Sequence, residues 1–249
     1  MLGVIGGSGL TQLETLEITH KQVVRTPYGE PSGALVFGHI AGKEMVFIAR
    51  HGHGHTIPPH LVNYRANLWA LREQGVKDVV SIATVGGIHE SLFPGALVVP
   101  DQLIDYTWGR KSTYADEISD KPVNHIDFTE PYTCSIRDLC MQALSEAGEQ
   151  FTNSGVYATT QGPRLETAAE INRLERDGAT IVGMTAMPEA ALAREVGLNY
   201  AAICVVANHA AGRASSQHGI RYQDIDAVLA DAMVRVRKVL AQLVAIHGS

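Results

Sequence analysis

An α/β fold around a largely parallel or mixed sheet is expected from three features: recurrent short β-branched apolar runs, amphipathic segments that end at glycine, and the alternation of the two. The strand-like runs are Leu2–Ile5, Ala34–Phe37, Met45–Ile48, Asp78–Ile82, Leu97–Val99, Ala179–Val182 and Tyr200–Val206. Several run out into Gly, Thr or Asn, as buried strands do where they feed loops. Between them, Val62–Glu73 repeats Leu, Trp and Ala at helical spacing and stops at Gly75. Cys134–Ala147 stops at Gly148, Leu165–Asp177 at Gly178 and Met187–Val196 at Gly197, each glycine serving as a helix terminator. Asp224–Ile246 is one amphipathic helix, with Asp224 and Asp226 at its start and Arg235, Arg237 and Lys238 toward its end.

The chain has 249 residues, of which 45% are apolar and 18% charged. One domain spanning residues 1–249 is expected, because a chain this long hides roughly 70–75% of its unfolded surface without disulfides or a structural metal. Its net charge of −6 argues against nucleic acid or an acidic membrane as partner. Cys134, Cys140 and Cys204 are odd in number and lack zinc-ligand spacing, which fits a reducing cytoplasm. No apolar run approaches the ~18 residues of a membrane span. Met1-Leu2-Gly3-Val4-Ile5 enters a strand without a basic leader, so no secretion signal is expected. No repeat or low-complexity stretch interrupts the pattern.

In such folds the loops after strands carry chemistry. Val4-Ile5-Gly6-Gly7-Ser8-Gly9-Leu10 is a strand entering a glycine turn with one hydroxyl, which suits either an anion site or a plain tight turn. A dinucleotide fingerprint fits poorly: Gly3, Gly6, Gly7 and Gly9 miss the required spacing, and Thr11-Gln12-Leu13 is a weak helix former. Four histidines fall in Arg50-His51-Gly52-His53-Gly54-His55-Thr56-Ile57-Pro58-Pro59-His60, but no carboxylate or cysteine stands nearby to complete a metal site, and none is expected. Arg50, at a strand end, offers bidentate donors to a phosphate or carboxylate, against the alternative of a surface ion pair. Thr-Gln-Gly-Pro-Arg (160–164) places Leu165 and Glu166 in the first turn of a helix, where Glu166 is either a cap or a functional carboxylate. Met184-Thr185 and Asn208-His209-Ala210 end two further strands. Hydroxyls, a guanidinium, amides and one carboxylate, with no nucleophile–base pair, suit a reaction whose nucleophile arrives as a substrate, such as phosphorolysis of a nucleoside.

These motifs resemble the trimeric purine nucleoside phosphorylases, and more closely their methylthioadenosine phosphorylase branch. The resemblance rests on Ile5-Gly6-Gly7-Ser8-Gly9-Leu10; Arg50-His51-Gly52 with His55-Thr56-Ile57 and Val62-Asn63-Tyr64; Phe93-Pro94-Gly95; Gly162-Pro163-Arg164; and Gly183-Met184-Thr185 with Pro188-Glu189. It implies a single domain with a mixed central sheet flanked by helices, and a homotrimer with sites near subunit interfaces. It also implies inorganic phosphate as co-substrate and no cofactor. By the same resemblance Ser8, Arg50, His51, Thr84 and Thr185 surround phosphate, Met184 packs on the ribose, and a neighbour lends His125 to the 5′ end. Leu165, Glu166, Asn208 and Ala210 then line the base site, with Asn208, Glu166 and His51 as the catalytic set.

Two departures bear on the substrate. The methylthioadenosine branch has Asp-x-Asp where this chain has Asn208 and Ala210, and Phe-Ser where it has Leu165-Glu166. The inosine/guanosine enzymes carry Glu and Asn at the corresponding positions. Glu166 can accept the N1 proton that hypoxanthine has and adenine lacks, while the Asn208 amide donates to O6 or N7. The 5′ motifs, including Asn63, follow the methylthio branch, whose thioether end needs an apolar pocket. Together they imply phosphorolysis of S-methyl-5′-thioinosine to hypoxanthine and 5-methylthioribose 1-phosphate. The alternatives are a general 6-oxopurine nucleoside phosphorylase, a methylthioadenosine phosphorylase, a non-catalytic purine-binding protein and, least compatible with the glycine spacing, a nucleotide-cofactor oxidoreductase.

Overall fold

Strands of alternating Val, Ile and Leu can hide both faces only if helices cover both sides of their sheet. The computed structural model, which describes residues 1–10, 13–116 and 123–248, has this arrangement. The elements in chain order are β1 (Leu2–Gly6), β2 (Glu17–Gln22), β3 (Leu35–Ile40), β4 (Lys43–Ala49), α1 (Tyr64–Glu73), β5 (Asp78–Gly87), β6 (Leu97–Val98), β7 (Gln102–Asp105) and α2 (Cys134–Glu146), followed by β8 (Phe151–Thr152), β9 (Val156–Thr159), α3 (Ala168–Arg176), β10 (Ile181–Gly183), α4 (Ala186–Glu195), β11 (Asn199–His209) and α5 (Tyr222–Ile246). Along β11, Ala202, Cys204 and Val206 join one core with α1 and α4, while Ala201, Ile203 and Val205 join the other with α2 and α5. The expected α/β class with a mixed sheet is therefore what the chain forms.

The sheet runs β2-β3-β4-β1-β5-β10-β9-β7, with β11 on β5, β6 on β11 and β8 on β6. Its register opens the site. β11 follows β5 in parallel from Asp78 to Gly87, so one edge of β5 is occupied throughout. On the other edge β1 pairs only as far as Ser81, and antiparallel β10 takes over at Gly86 and Gly87. Between them, no strand among the described residues lies beside the β5 edge from Ile82 to Val85. A crevice therefore forms where neighbouring strands part, as is usual for ligand sites in open α/β sheets.

Local sequence accounts for most element ends and for the departures from expectation. Helix α3 starts at Ala168, not Leu165: Thr167 accepts from the Glu170 N–H and Glu170 accepts from the Thr167 N–H, a capping box that places Leu165 and Glu166 before the helix. Strands β2, β7, β8 and β9 were not expected. Exposed β2 (Glu-Ile-Thr-His-Lys-Gln) has no apolar pattern to betray it, and only antiparallel pairing with β3 makes it a strand. Its charges suit a sheet edge. Thr11 and Gln12, named above as weak helix formers, lie outside the described residues.

Glycine is required where β1 meets the crevice. A Cβ at Gly6 would lie 2.1 Å from the Leu10 carbonyl oxygen and 2.6 Å from the Phe47 ring. Gly6→Ala should therefore destabilise the fold by roughly 1–3 kcal/mol through overpacking; urea denaturation measures it, and an unchanged midpoint would show that the turn yields.

Candidate active site

The crevice is a cavity of about 410 Å³ lined by strand ends and the loops that follow them. Ser8, Arg50, His51, Thr84, Leu165, Glu166, Met184, Thr185, Asn208 and Ala210 all border it. His125 does not; it is exposed, in the segment before α2. The structure thus brings every expected site residue but one to a single cavity.

At the β1 end the turn is closed by Leu10 N–H donating to the Gly7 carbonyl, and the Thr84 hydroxyl donates 3.1 Å to the Ser8 carbonyl. Arg50 follows β4 and is 1% exposed, and the bidentate grip expected of it goes to another partner. Nε donates to Glu189 Oε2 at 2.6 Å, Nη2 to Glu189 Oε1 at 2.8 Å and to Ser81 Oγ, and Nη1 to the Ile82 carbonyl at 3.2 Å. Of the five guanidinium hydrogens, one on Nη1 is left over. This corrects the reading of Arg50 as a two-point anion clamp: the carboxylate of α4 occupies the fork. Burial alone would lower the Arg50 pKa, but Glu189 raises it above the ordinary value, and the pair is ionic. Tyr200 also donates to Glu189, at 2.7 Å. The leftover Nη1 lies under the glycine turn, 3.0 Å from where a Gly7 Cβ would be, and that Cβ would press closer still on the Ile82 carbonyl oxygen, so the turn fits here only as glycine.

His51 Nδ1 lies 2.8 Å from the Ile57 carbonyl, which can only accept. The proton is therefore on Nδ1, and Nε2 carries a lone pair. Burial, then the charge of Arg50, lowers its pKa to about 4. Burial lowers that of His55 as well. Among the described residues no three His, Cys, Asp or Glu side chains cluster as metal ligands.

Glu166 is half-buried and accepts from the Thr160 hydroxyl at 2.6 Å. The capping box uses Thr167 and Glu170, so the helix-cap alternative for Glu166 falls away. Asn208 stands where the β5–β11 register shifts between Val206 and Asn208; the extra residue, Ala207, turns the strand end. Its Nδ2 donates to the His209 carbonyl at 2.6 Å, leaving the second amide hydrogen and Oδ1. Thr185 precedes α4, and its hydroxyl makes no capping bond. Met184 sulfur fills the space a Gly162 side chain would need. Asn63, counted above among the 5′ motifs, instead caps α1 and donates to the Tyr28 and Glu30 carbonyls. It does not line the cavity.

Two contributions were not anticipated. Arg110 gathers the carbonyls of Thr160, Gln161, Met184 and Met187. No motif surrounds it, so only its neighbours in space reveal it. Ile220, Tyr222 and Ile225 bring the start of α5 over the cavity.

The Phosphorylase superfamily is the family whose description matches the chain, over residues 1–245. A relative described as a probable S-methyl-5′-thioinosine phosphorylase, from Pseudomonas syringae pv. tomato, is 51% identical over 241 residues, covering 96% of each chain. The 6-oxopurine nucleoside phosphorylase of Pyrococcus furiosus is 43% identical, covering 85% of this chain and 80% of that one. Among solved structures, methylthioadenosine phosphorylase from Schistosoma mansoni in complex with adenine superposes with a TM-score of 0.94 at 33% identity, covering 99% of this chain and 91% of that one.

Two outcomes follow from the ion pair and the imidazole. Glu189→Gln leaves a buried guanidinium without its counter-charge and should cost about 3–5 kcal/mol of stability by chemical denaturation; a loss below 1 kcal/mol would mean the pair is dispensable. His51 takes up a proton less readily folded than unfolded, so its contribution to stability is lost as pH falls from the unfolded value, ~6.5, through the folded value of about 4. A His51 ring pKa near 4 by NMR titration is expected, and one above 6 would refute the buried neutral tautomer.

Proposed function

The chain belongs to the phosphorylase superfamily, and on that premise we propose that it cleaves S-methyl-5′-thioinosine with inorganic phosphate, giving hypoxanthine and 5-methylthioribose 1-phosphate. The observation that carries the base assignment is that Glu166, free of capping duty, borders the same cavity as Asn208. Glu166 accepts the N1 proton. As the N9–C1′ bond breaks, its electron pair passes to the purine, and the unspent Asn208 N–H donates to the charge developing at O6 and N7. Adenine has no N1 proton and presents an amine in place of O6, so it mismatches both groups. The 51% identical relative from Pseudomonas syringae supports the same substrate.

The phosphate oxygen forms the new bond to C1′ from the side of the glycine turn. Ser8, Thr185 and the leftover Arg50 Nη1–H serve as its donors, and Thr84 joins them by turning its hydroxyl from the Ser8 carbonyl. The unprotonated Nε2 of His51 accepts the O–H of hydrogen phosphate. Met184 packs on the ribose, and Leu165 and Ala210 border the base. Ile57, Pro58 and Pro59 offer an apolar wall to the methylthio group. The proposed assembly is a homotrimer in which exposed His125 serves a neighbour's 5′ end. No metal or organic cofactor enters this scheme. Three unpaired cysteines fit a reducing cytoplasm, and no helix among the described residues is long and apolar enough to cross a membrane.

A general 6-oxopurine nucleoside phosphorylase is the second reading, favoured by the 43% identical relative from Pyrococcus furiosus. A panel of methylthioinosine, methylthioadenosine, inosine and adenosine, each with and without phosphate, tests both. Phosphate-dependent release of hypoxanthine is expected to be fastest from methylthioinosine. Equal rates from inosine would establish the second reading, and equal rates from methylthioadenosine would remove Glu166 and Asn208 as the filter.

A further inference from the structure

A carboxylate that selects a base by one hydrogen bond must be held as firmly as the base itself, because a Glu free to swing can accept either from the N1–H of a 6-oxopurine or from the 6-amino group of adenine. Glu166 lies between Pro163 and the first residue of α3, on backbone that belongs to neither strand nor helix. Its anchorage therefore has to come from elsewhere.

Thr160 supplies it. The residue continues β9 past its last paired position: its N–H donates to the Gly183 carbonyl at 2.8 Å, and its own carbonyl receives Arg110 Nη2 at 3.2 Å. With the backbone held on both sides, the hydroxyl donates to Glu166 Oε1 at 2.6 Å, while its other acceptor in reach, the Gly183 carbonyl, is farther away at 3.3 Å. Thr160 does not border the cavity. It stands behind Glu166, in an adjoining cavity of about 400 Å³ that also contains Glu166. Arg110 links this point to the ribose side, since the same guanidinium donates to the Met184 carbonyl at 2.8 Å and the Met187 carbonyl at 2.6 Å. Six of its contacts go to groups of the 160–161 and 184–187 loops or to Tyr64, and none is to a carboxylate.

We propose that Thr160 is the positioning residue for base selection: it occupies Oε1 of Glu166, leaves Oε2 for the N1 proton of a 6-oxopurine, and is itself held by Arg110. This rests on the assignment of Glu166 as the N1 partner. Thr160 does not line the cavity proposed for the substrate, so removing its hydroxyl acts chiefly through the Glu166 carboxylate, the nearer of its two acceptors.

The test is Thr160→Val, which keeps the branched shape and removes the hydroxyl, with Thr160→Ser as the rescue. Steady-state kinetics with methylthioinosine and methylthioadenosine are expected to show the selectivity ratio falling about tenfold in Thr160→Val, as for loss of one hydrogen bond to a charged group, and returning in Thr160→Ser. A ratio unchanged in Thr160→Val, or both substrates slowed equally, would overturn the proposal. If Thr160→Val does not fold, Thr160→Ala takes its place under the same criteria. Wild-type protein that does not prefer methylthioinosine would instead refute the base assignment itself, so the two failures are distinct.

Discussion

The ion pair between Arg50 and Glu189 joins the parts on which the cavity depends. Arg50 follows β4, its other donors reach Ser81 and Ile82 on β5, and Glu189 lies in the first turn of α4 and receives Tyr200 from β11. Two charges this deeply buried are costly to desolvate, and the bidentate geometry with its added hydrogen bonds offsets that cost. The positive end of α4 also favours a carboxylate at Glu189. The pair substitutes for a missing strand: where β1 parts from β5, the Ile82 carbonyl takes its hydrogen bond from a guanidinium. The sheet can thus open without leaving that carbonyl unpaired.

That opening explains why the chemistry gathers at one end of the sheet. β1, β4, β5 and β11 run parallel and deliver the glycine turn, Arg50, Thr84 and Asn208 to the same rim. The bulge at Ala207 changes which side of β11 the last residues occupy, and Asn208 comes to border the cavity. Met184 and Thr185, between β10 and α4, border the same cavity.

Two arginines divide the support of this arrangement. Arg50 is wholly buried and ion-paired, so it holds secondary-structure elements together. Arg110 is half-buried and serves neutral carbonyls, so it holds loops whose backbone no ladder satisfies. Planar, multiply donating guanidinium suits both tasks where lysine would not. His51 belongs with the first: the nearby charge of Arg50 helps keep it neutral, and the Ile57 carbonyl sets its tautomer.

Apolar periodicity, with glycine stops, determined the α/β class and the five α-helices among the described residues, because burying Val, Ile and Leu in short runs leaves few alternatives; seven of the strands were legible for the same reason. The strand-end motifs marked the cavity walls, since only loops can present such groups. What the sequence left undecided was the partner of each polar group. The Arg50 fork reads as an anion clamp, or else as a surface ion pair, until Glu189, 139 residues away, is seen to fill it in the buried interior. Glu166 reads as a cap until Thr167 and Glu170 are found capping α3. β2 and Arg110 carry no local pattern at all, and take their roles from β3 and from the carbonyls of distant loops. Hydrophobic burial is encoded residue by residue, whereas a hydrogen bond or an ion pair belongs to two residues, and only the folded chain decides which two.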